Sequence, residues 1–224
     1  MNFRIFRILL LSAAFVCVDS PIEAREINAG TADEIRSALA LAGAGDIILV
    51  KPGEYDMGVS ASTGKDGTKE KPITLACEGN KGYARLNHKG QVAFRIKNKF
   101  WVFRGIHFGG DQKKTEATLF MDGPNGCGNI HITDCKISGS AQHGMKGAGT
   151  QENFVHNVTI EHTELYDSKA TGFDLVAGNN WVLRGNYVHD YGRGGGVTYG
   201  IFLKGGGKNG IIDGNIVDGK KQAT

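Results

Sequence analysis

The chain is poor in proline and cysteine, with 4 of each in 224 residues. Its 34 glycines therefore come without the G-X-Y period and high proline of collagen, which excludes that class. Charge of one sign is not in excess: 26 Lys and Arg stand against 23 Asp and Glu, a net +3. That balance speaks against a nucleic-acid binder working through bulk charge. No C-x-x-C or His/Cys metal spacing occurs, and no GxxxxGK[ST] phosphate cradle. No apolar run is long enough to span a membrane, because the longest, Ile8–Val18, has 11 residues. What is present is a 40% apolar composition, enough for a core and against global disorder.

Residues 1–24 read as a secretory signal peptide. Arg4 and Arg7 form the basic start, Ile8–Val18 the apolar stretch, and Ser20 and Ala24 are the candidate cleavage points. The predicted location is secreted or periplasmic, with residues 25–224 as one domain. Three cysteines then remain, Cys77, Cys127 and Cys135. An odd count does not suggest a disulfide scaffold; a Cys127–Cys135 bridge competes with the reading of Cys135 as a packed thiol.

One helix is expected, over 31–42. Thr31 caps it, Glu34 completes a capping box, Ile35, Ala38, Leu39 and Ala42 recur at helical spacing, and Gly43 and Gly45 stop it. Strand signals begin at about residue 46 with Ile47–Val50. From residue 100 a unit repeats: Phe100–Phe108, Asn129–Ile137, Asn157–Leu165, Asn180–Val188 and Asn209–Val217. Their second residues, Trp101, Ile130, Val158, Trp181 and Gly210, lie 29, 28, 23 and 29 apart. A shorter strand signal falls between copies, with Gly144, Gly172 and Gly200 each 28 apart. Strands repeating at this period without intervening helices point to an all-β solenoid, a parallel β-helix whose first coil is covered by the helix.

Stacking assigns columns. Ile106, Cys135, Thr163, Asn186 and Asn215 share one, and an inward Asn186–Asn215 pair would satisfy its own amides. Trp101 and Trp181 are expected in the core, and His107, His131 and His162 outside and solvated. In the shorter strand Met145, Phe173 and Ile201 point inward, so Lys146, Asp174 and Phe202 should face solvent. Ala148, Val176 and Lys204 share that face, beside a column of His143, Thr171 and Tyr199. The candidate catalytic residues are Lys204, His143, Lys146 and Asp174; the candidate substrate-binding residues are Tyr199, His189 and Arg193. A basic patch with an aromatic edge suits an acidic, ring-shaped ligand such as a uronate sugar. Lys146–Asp174 is equally readable as a cross-strand surface pair.

Three segments carry a resemblance: Thr31–Leu39, Gly45–Tyr55 and Gly67–Leu75. They resemble the N-terminal cap and first coils of secreted right-handed parallel β-helix proteins, nearest the chondroitinase B and alginate lyase family of polysaccharide lyases. The resemblance implies β-elimination on a uronic-acid polymer, with a lysine taking the proton α to the carboxylate, an arginine assisting the leaving oxygen, and Ca2+ neutralising the carboxylate. Tyr199–Asn209 is similar to the strand carrying that lysine, which maps to Lys204. The arginine would fall about one coil after Lys204, past Thr224, so it is not assigned and further C-terminal coils are expected to be missing. Two alternatives stay open: a noncatalytic carbohydrate-binding or cell-surface β-helix, and a glycoside hydrolase using two of Asp167, Asp174 and Asp190.

Overall fold

A computed structural model describes residues 24–79, 83–194 and 198–219. The expected signal segment lies outside these except for Ala24, as does most of the Gly194–Gly196 loop. The chain opens with β1 (Glu26–Ala29) and α1 (Ala32–Leu41). It then winds through coils of three strands. Coil one holds β2 (Ile47–Val50), β3 (Gly53–Asp56) and β4 (Ala61–Ser62); coil two holds β5 (Ile73–Cys77), β6 (Ala84–Asn87) and β7 (Val92–Ile96). Coil three holds β8 (Lys99–Arg104), β9 (Ile106–Gly109) and β10 (Ala117–Asp122); coil four holds β11 (Gly128–Thr133), β12 (Lys136–Ser140) and β13 (His143–Ala148). Coil five is β14 (Val155–Glu161), β15 (Glu164–Ser168) and β16 (Thr171–Val176); coil six is β17 (Gly178–Arg184), β18 (Tyr187–His189) and β19 (Ile201–Lys204). β20 (Ile211–Asp213) and β21 (Ile216–Asp218) begin the next.

Like strands stack in parallel into three sheets of 8, 7 and 6 strands, here A, B and C in the order the chain meets them. Every third strand pairs, so neighbours in space are about one coil apart in sequence. The expected register is present: Trp101, Ile130, Val158 and Trp181 are successive partners. Both tryptophans are buried, and their indole N–H groups donate to the Lys65 and Val155 carbonyls.

The structure corrects the sequence reading in three places. Each nine-residue copy is two strands, the end of sheet A and the start of sheet B. The corner between them is a left-handed residue: Gly105, Asp134, His162, Gly185 or Gly214, with φ from 50° to 65°. The apolar and polar pattern continues across this single residue, glycine or not, so the two strands read as one. Second, β1 adds a sheet A strand before the first expected one, pairing Glu26–Ala29 with Ile47–Val50. Third, His107 is not solvated. It is 6% exposed, and its Nε2 lies 2.8 Å from Ser138 Oγ, with the Tyr166 hydroxyl 3.5 Å away.

The ends differ. Helix α1 caps the first, burying Ile35, Ala38 and Leu39. Thr31 Oγ1 accepts from the Glu34 N–H, and Glu34 in turn accepts from the Gly30 N–H. At the other end Ile211, Ile212, Ile216 and Val217 are 45–63% exposed. Between them the column read as inward is inward: Cys135 is a buried free thiol, and Asn186 Nδ2 donates to Asn215 Oδ1 at 2.9 Å. Cys127 is likewise free.

Candidate functional site

The outer face of sheet C gathers the candidate catalytic residues. Strand alternation turns Met145, Phe173 and Ile201 to the core and leaves Lys146, Asp174 and Phe202 as successive partners on the other side. Val176 pairs with Lys204, and His143 pairs with Thr171. Lys204 Nζ comes within 2.9 Å of Asp174 Oδ1, as an ion pair not aligned as a hydrogen bond. His143 Nε2 lies 3.7 Å from Asp174 Oδ2.

Asp174 is thus outward but not solvated, at 2% exposure. The long Lys204 side chain and the imidazole close over a short one, which corrects the expectation that it faces solvent. A buried carboxylate needs such partners, because desolvation without them is costly. Lys146 does not supply one: its contact is Glu116 Oε1, at 3.8 Å. Glu116 stands in the turn before β10, a position the repeat does not mark.

Burial lowers the pKa of His143, Lys146 and Lys204 lower it further, and the Asp174 charge pulls the other way. The net direction is down, which favours the neutral ring at neutral pH. Its Nδ1 is buried with no hydrogen-bond partner. Lys204, by contrast, is 41% exposed at its side chain and lies 4.8 Å from the centre of the Phe202 ring. Tyr199 stacks on the same ring at 4.3 Å. The face therefore offers a cation and an aromatic pair around a buried acid, with a largely buried imidazole beside them.

His189 and Arg193 are not part of this group. His189 ends β18 on sheet B, with its ring nitrogens 3.0 Å from Glu164 Oε1 and from Asp190 Oδ2. Tyr166 and Tyr187 stack against it at 5.4 and 4.2 Å. Arg193 binds Asp190 at 2.9 Å and Asp167 at 3.3 Å in the turn that follows. Of the three aspartates considered for a glycosidase, Asp167 and Asp190 meet on one guanidinium, while Asp174 belongs to sheet C.

Residues 119–224 match the family model of the right handed beta helix region. The fold is a right-handed parallel β-helix. Solved structures with the same fold include an alginate lyase from Paenibacillus sp. str. FPU-7, at TM-score 0.67 and 17% identity over 85% of this chain and 65% of that one. The pectate lyase Pel9A follows at 0.56 and 15%, over 77% of this chain and 56% of that one. A PL6 family polysaccharide lyase from Pseudopedobacter saltans gives 0.53 and 18%, over 84% and 52%. The β-helix thus spans less than two thirds of each of these chains, and identities this low carry the fold alone. No curated protein matches it in sequence.

On this face Asp174 is paired with Lys204, and Glu116 with Lys146. Among the described residues no three His, Cys, Asp or Glu side chains converge on a metal position. No helix of the described residues is long and apolar enough to cross a membrane.

Proposed function

We propose that this β-helix is an exported, polysaccharide lyase-like protein that takes a uronic-acid polymer along the outer face of sheet C. The observation that carries this reading is the half-exposed Lys204 anchored on buried Asp174, with neutral His143 on the same acid. β-Elimination needs the carboxylate beside the acidic C–H countered by positive charge before carbanion character can develop. Lys204 in its neutral form takes the proton α to the carboxylate. The C–H electron pair becomes the new double bond, the glycosidic C–O bond breaks, and the leaving oxygen takes a proton from solvent. Lys146 supplies the countering charge, and Tyr199 and Phe202 offer ring faces to the sugar. Asp174 positions Lys204.

A second reading, a β-helix that holds glycans without cutting them, is favoured by the acid partner that each of Lys146 and Lys204 already has. One assay separates the two. The protein without residues 1–24 is incubated with alginate, chondroitin, dermatan and pectate, with and without calcium, and unsaturated products are followed by ultraviolet absorbance. Absorbance that is lost in Lys204→Ala supports elimination. Polymer binding without new absorbance supports the second reading, and reducing ends without unsaturation would point to hydrolysis. Export is checked by sequencing the N-terminus of the secreted chain, expected at Pro21 or Arg25.

A further inference from the structure

Lys204 is not alone in its arrangement. Asp174 on β16 and Lys204 on β19 sit one coil apart on a diagonal, with Phe202 beside Asp174 in register and beneath the lysine. Three coils earlier the same diagonal recurs with its charges exchanged. Arg95 on β7 reaches Asp122 on β10 at 2.5 Å, and Phe120 is the register partner of Arg95. The Arg95 guanidinium lies 4.6 Å from the Phe120 ring centre, as Lys204 lies 4.8 Å from that of Phe202. In both places the acid is buried, Asp122 at 6% and Asp174 at 2% of its side chain, while the cation keeps 39% and 41% in solvent. Asn125 Nδ2 further fixes Asp122 at 2.9 Å.

We propose that Arg95, Phe120 and Asp122 form a second glycan subsite on sheet C, taking the carboxylate of a sugar remote from Lys204. The inference rests on the uronate reading above and extends it. Asp122 occupies Nη1 of Arg95, and a guanidinium has five donors in a planar fork, so the rest of the fork remains for an incoming carboxylate. The ring under it supplies an apolar face for the sugar and prevents the fork from turning inward. The two clasps are three strand spacings apart, about 14 Å along the solenoid axis. A polymer that reaches both must run across the strands, parallel to that axis. Lys146 on β13 lies in the same register row as Arg95 and Phe120, between the two clasps.

Length dependence tests this. Galacturonate and mannuronate oligomers of two and six sugars are titrated calorimetrically into the Lys204→Gln protein, which holds them without turnover, with and without Arg95→Gln. Six-sugar chains are expected to bind about tenfold more weakly once Arg95 is replaced, and two-sugar chains equally well. Because Arg95→Gln leaves Asp122 buried and unpaired, Phe120→Leu serves as the second variant: it keeps the ion pair and is expected to cost about threefold on the long chains alone. Equal losses at both lengths, or none in either variant, overturn the second subsite while leaving the first intact. Failure of every uronate oligomer to bind the unsubstituted protein overturns the underlying reading and the subsite with it.

Discussion

Sheets B and C both carry charges of each sign and use them differently. On sheet B the charges alternate and close on one another: Lys136 to Glu164 at 2.7 Å, Glu164 to His189, His189 to Asp190, and Asp190 to Arg193. Glu164 and Asp190 each sit between two basic side chains, and Tyr166 and Tyr187 both stack against the His189 ring. On sheet C the acids are buried and the cations remain within reach of solvent. A closed network stabilises the coils it links; a cation with one hidden partner and an open side can still meet a ligand. Charge content alone does not separate structure from chemistry on a solenoid, whereas the exposure of each sign does.

The largest effect should fall on sheet C. Lys204→Ala is expected to lower the rate of unsaturated product formation at least ~100-fold, the range for a lost general base, and also to lower the melting temperature, because it leaves Asp174 buried without its cation. Lys136→Ala on sheet B should leave turnover within about twofold and lower the melting temperature only slightly, because its pair with Glu164 is partly exposed. If the two variants behave alike, the division between the sheets fails.

Acid should act through buried imidazoles. Burial lowers His107 on sheet B, and also His88, to a pKa of about 4. The unfolded chain binds those protons near pH 6.5, and the folded chain only near 4. Between these values the unfolded state carries more protons, so stability is lost as pH falls, by up to about 3 kcal/mol for each ring. His107→Gln is expected to flatten the fall of melting temperature between pH 6.5 and 4; an unchanged slope would mean that His107 is not held neutral.

Smaller effects refine the picture. Glu164→Gln removes the carboxylate that Lys136 and His189 share, and because these groups are partly exposed it should cost about 1 kcal/mol in chemical denaturation, with turnover intact. Smallest is the asparagine row at the entry to sheet A, where Asn157 and Asn180 hold φ of 56° and each donates to the asparagine one coil before. Asn157→Ala should cost under about 1 kcal/mol more than Asn157→Gly, since alanine resists the left-handed region and glycine does not. Equal costs would assign the row's value to its amides instead.

Much of the fold was legible because a solenoid writes its contacts into its period: residues 28 or 29 apart touch, and alternation says which side they face. The columns of Trp101 and Trp181, of Asn186 and Asn215, and of Lys146 and Asp174 followed from that rule. What escaped it was whatever depends on side-chain reach. Asp174 and His107 both occupy outward positions, yet longer neighbours on adjacent coils cover them. His189 and Arg193 were grouped with Tyr199 as substrate-binding candidates, but His189 ends a sheet B strand while Tyr199 stands just before a sheet C strand. Phe94–Ile96 and Leu119–Met121 carry the shorter strand signal, but Glu116 and Asp122 lie just outside it, so no column pointed to the Arg95–Asp122 clasp. One-residue corners, glycine in three copies and Asp134 or His162 in the others, hid the third sheet, because a strand pattern that bends at a single residue reads as straight.

The even stacking of the coils has a further consequence for the two clasps. Their separation is a whole number of identical steps, so the protein behaves as a ruler with its graduations fixed by the backbone. Duplicating one complete turn between them would lengthen the gauge by a single mark without disturbing either end. The size of the chain segment it prefers could then be reset by counting turns, with no side chain redesigned.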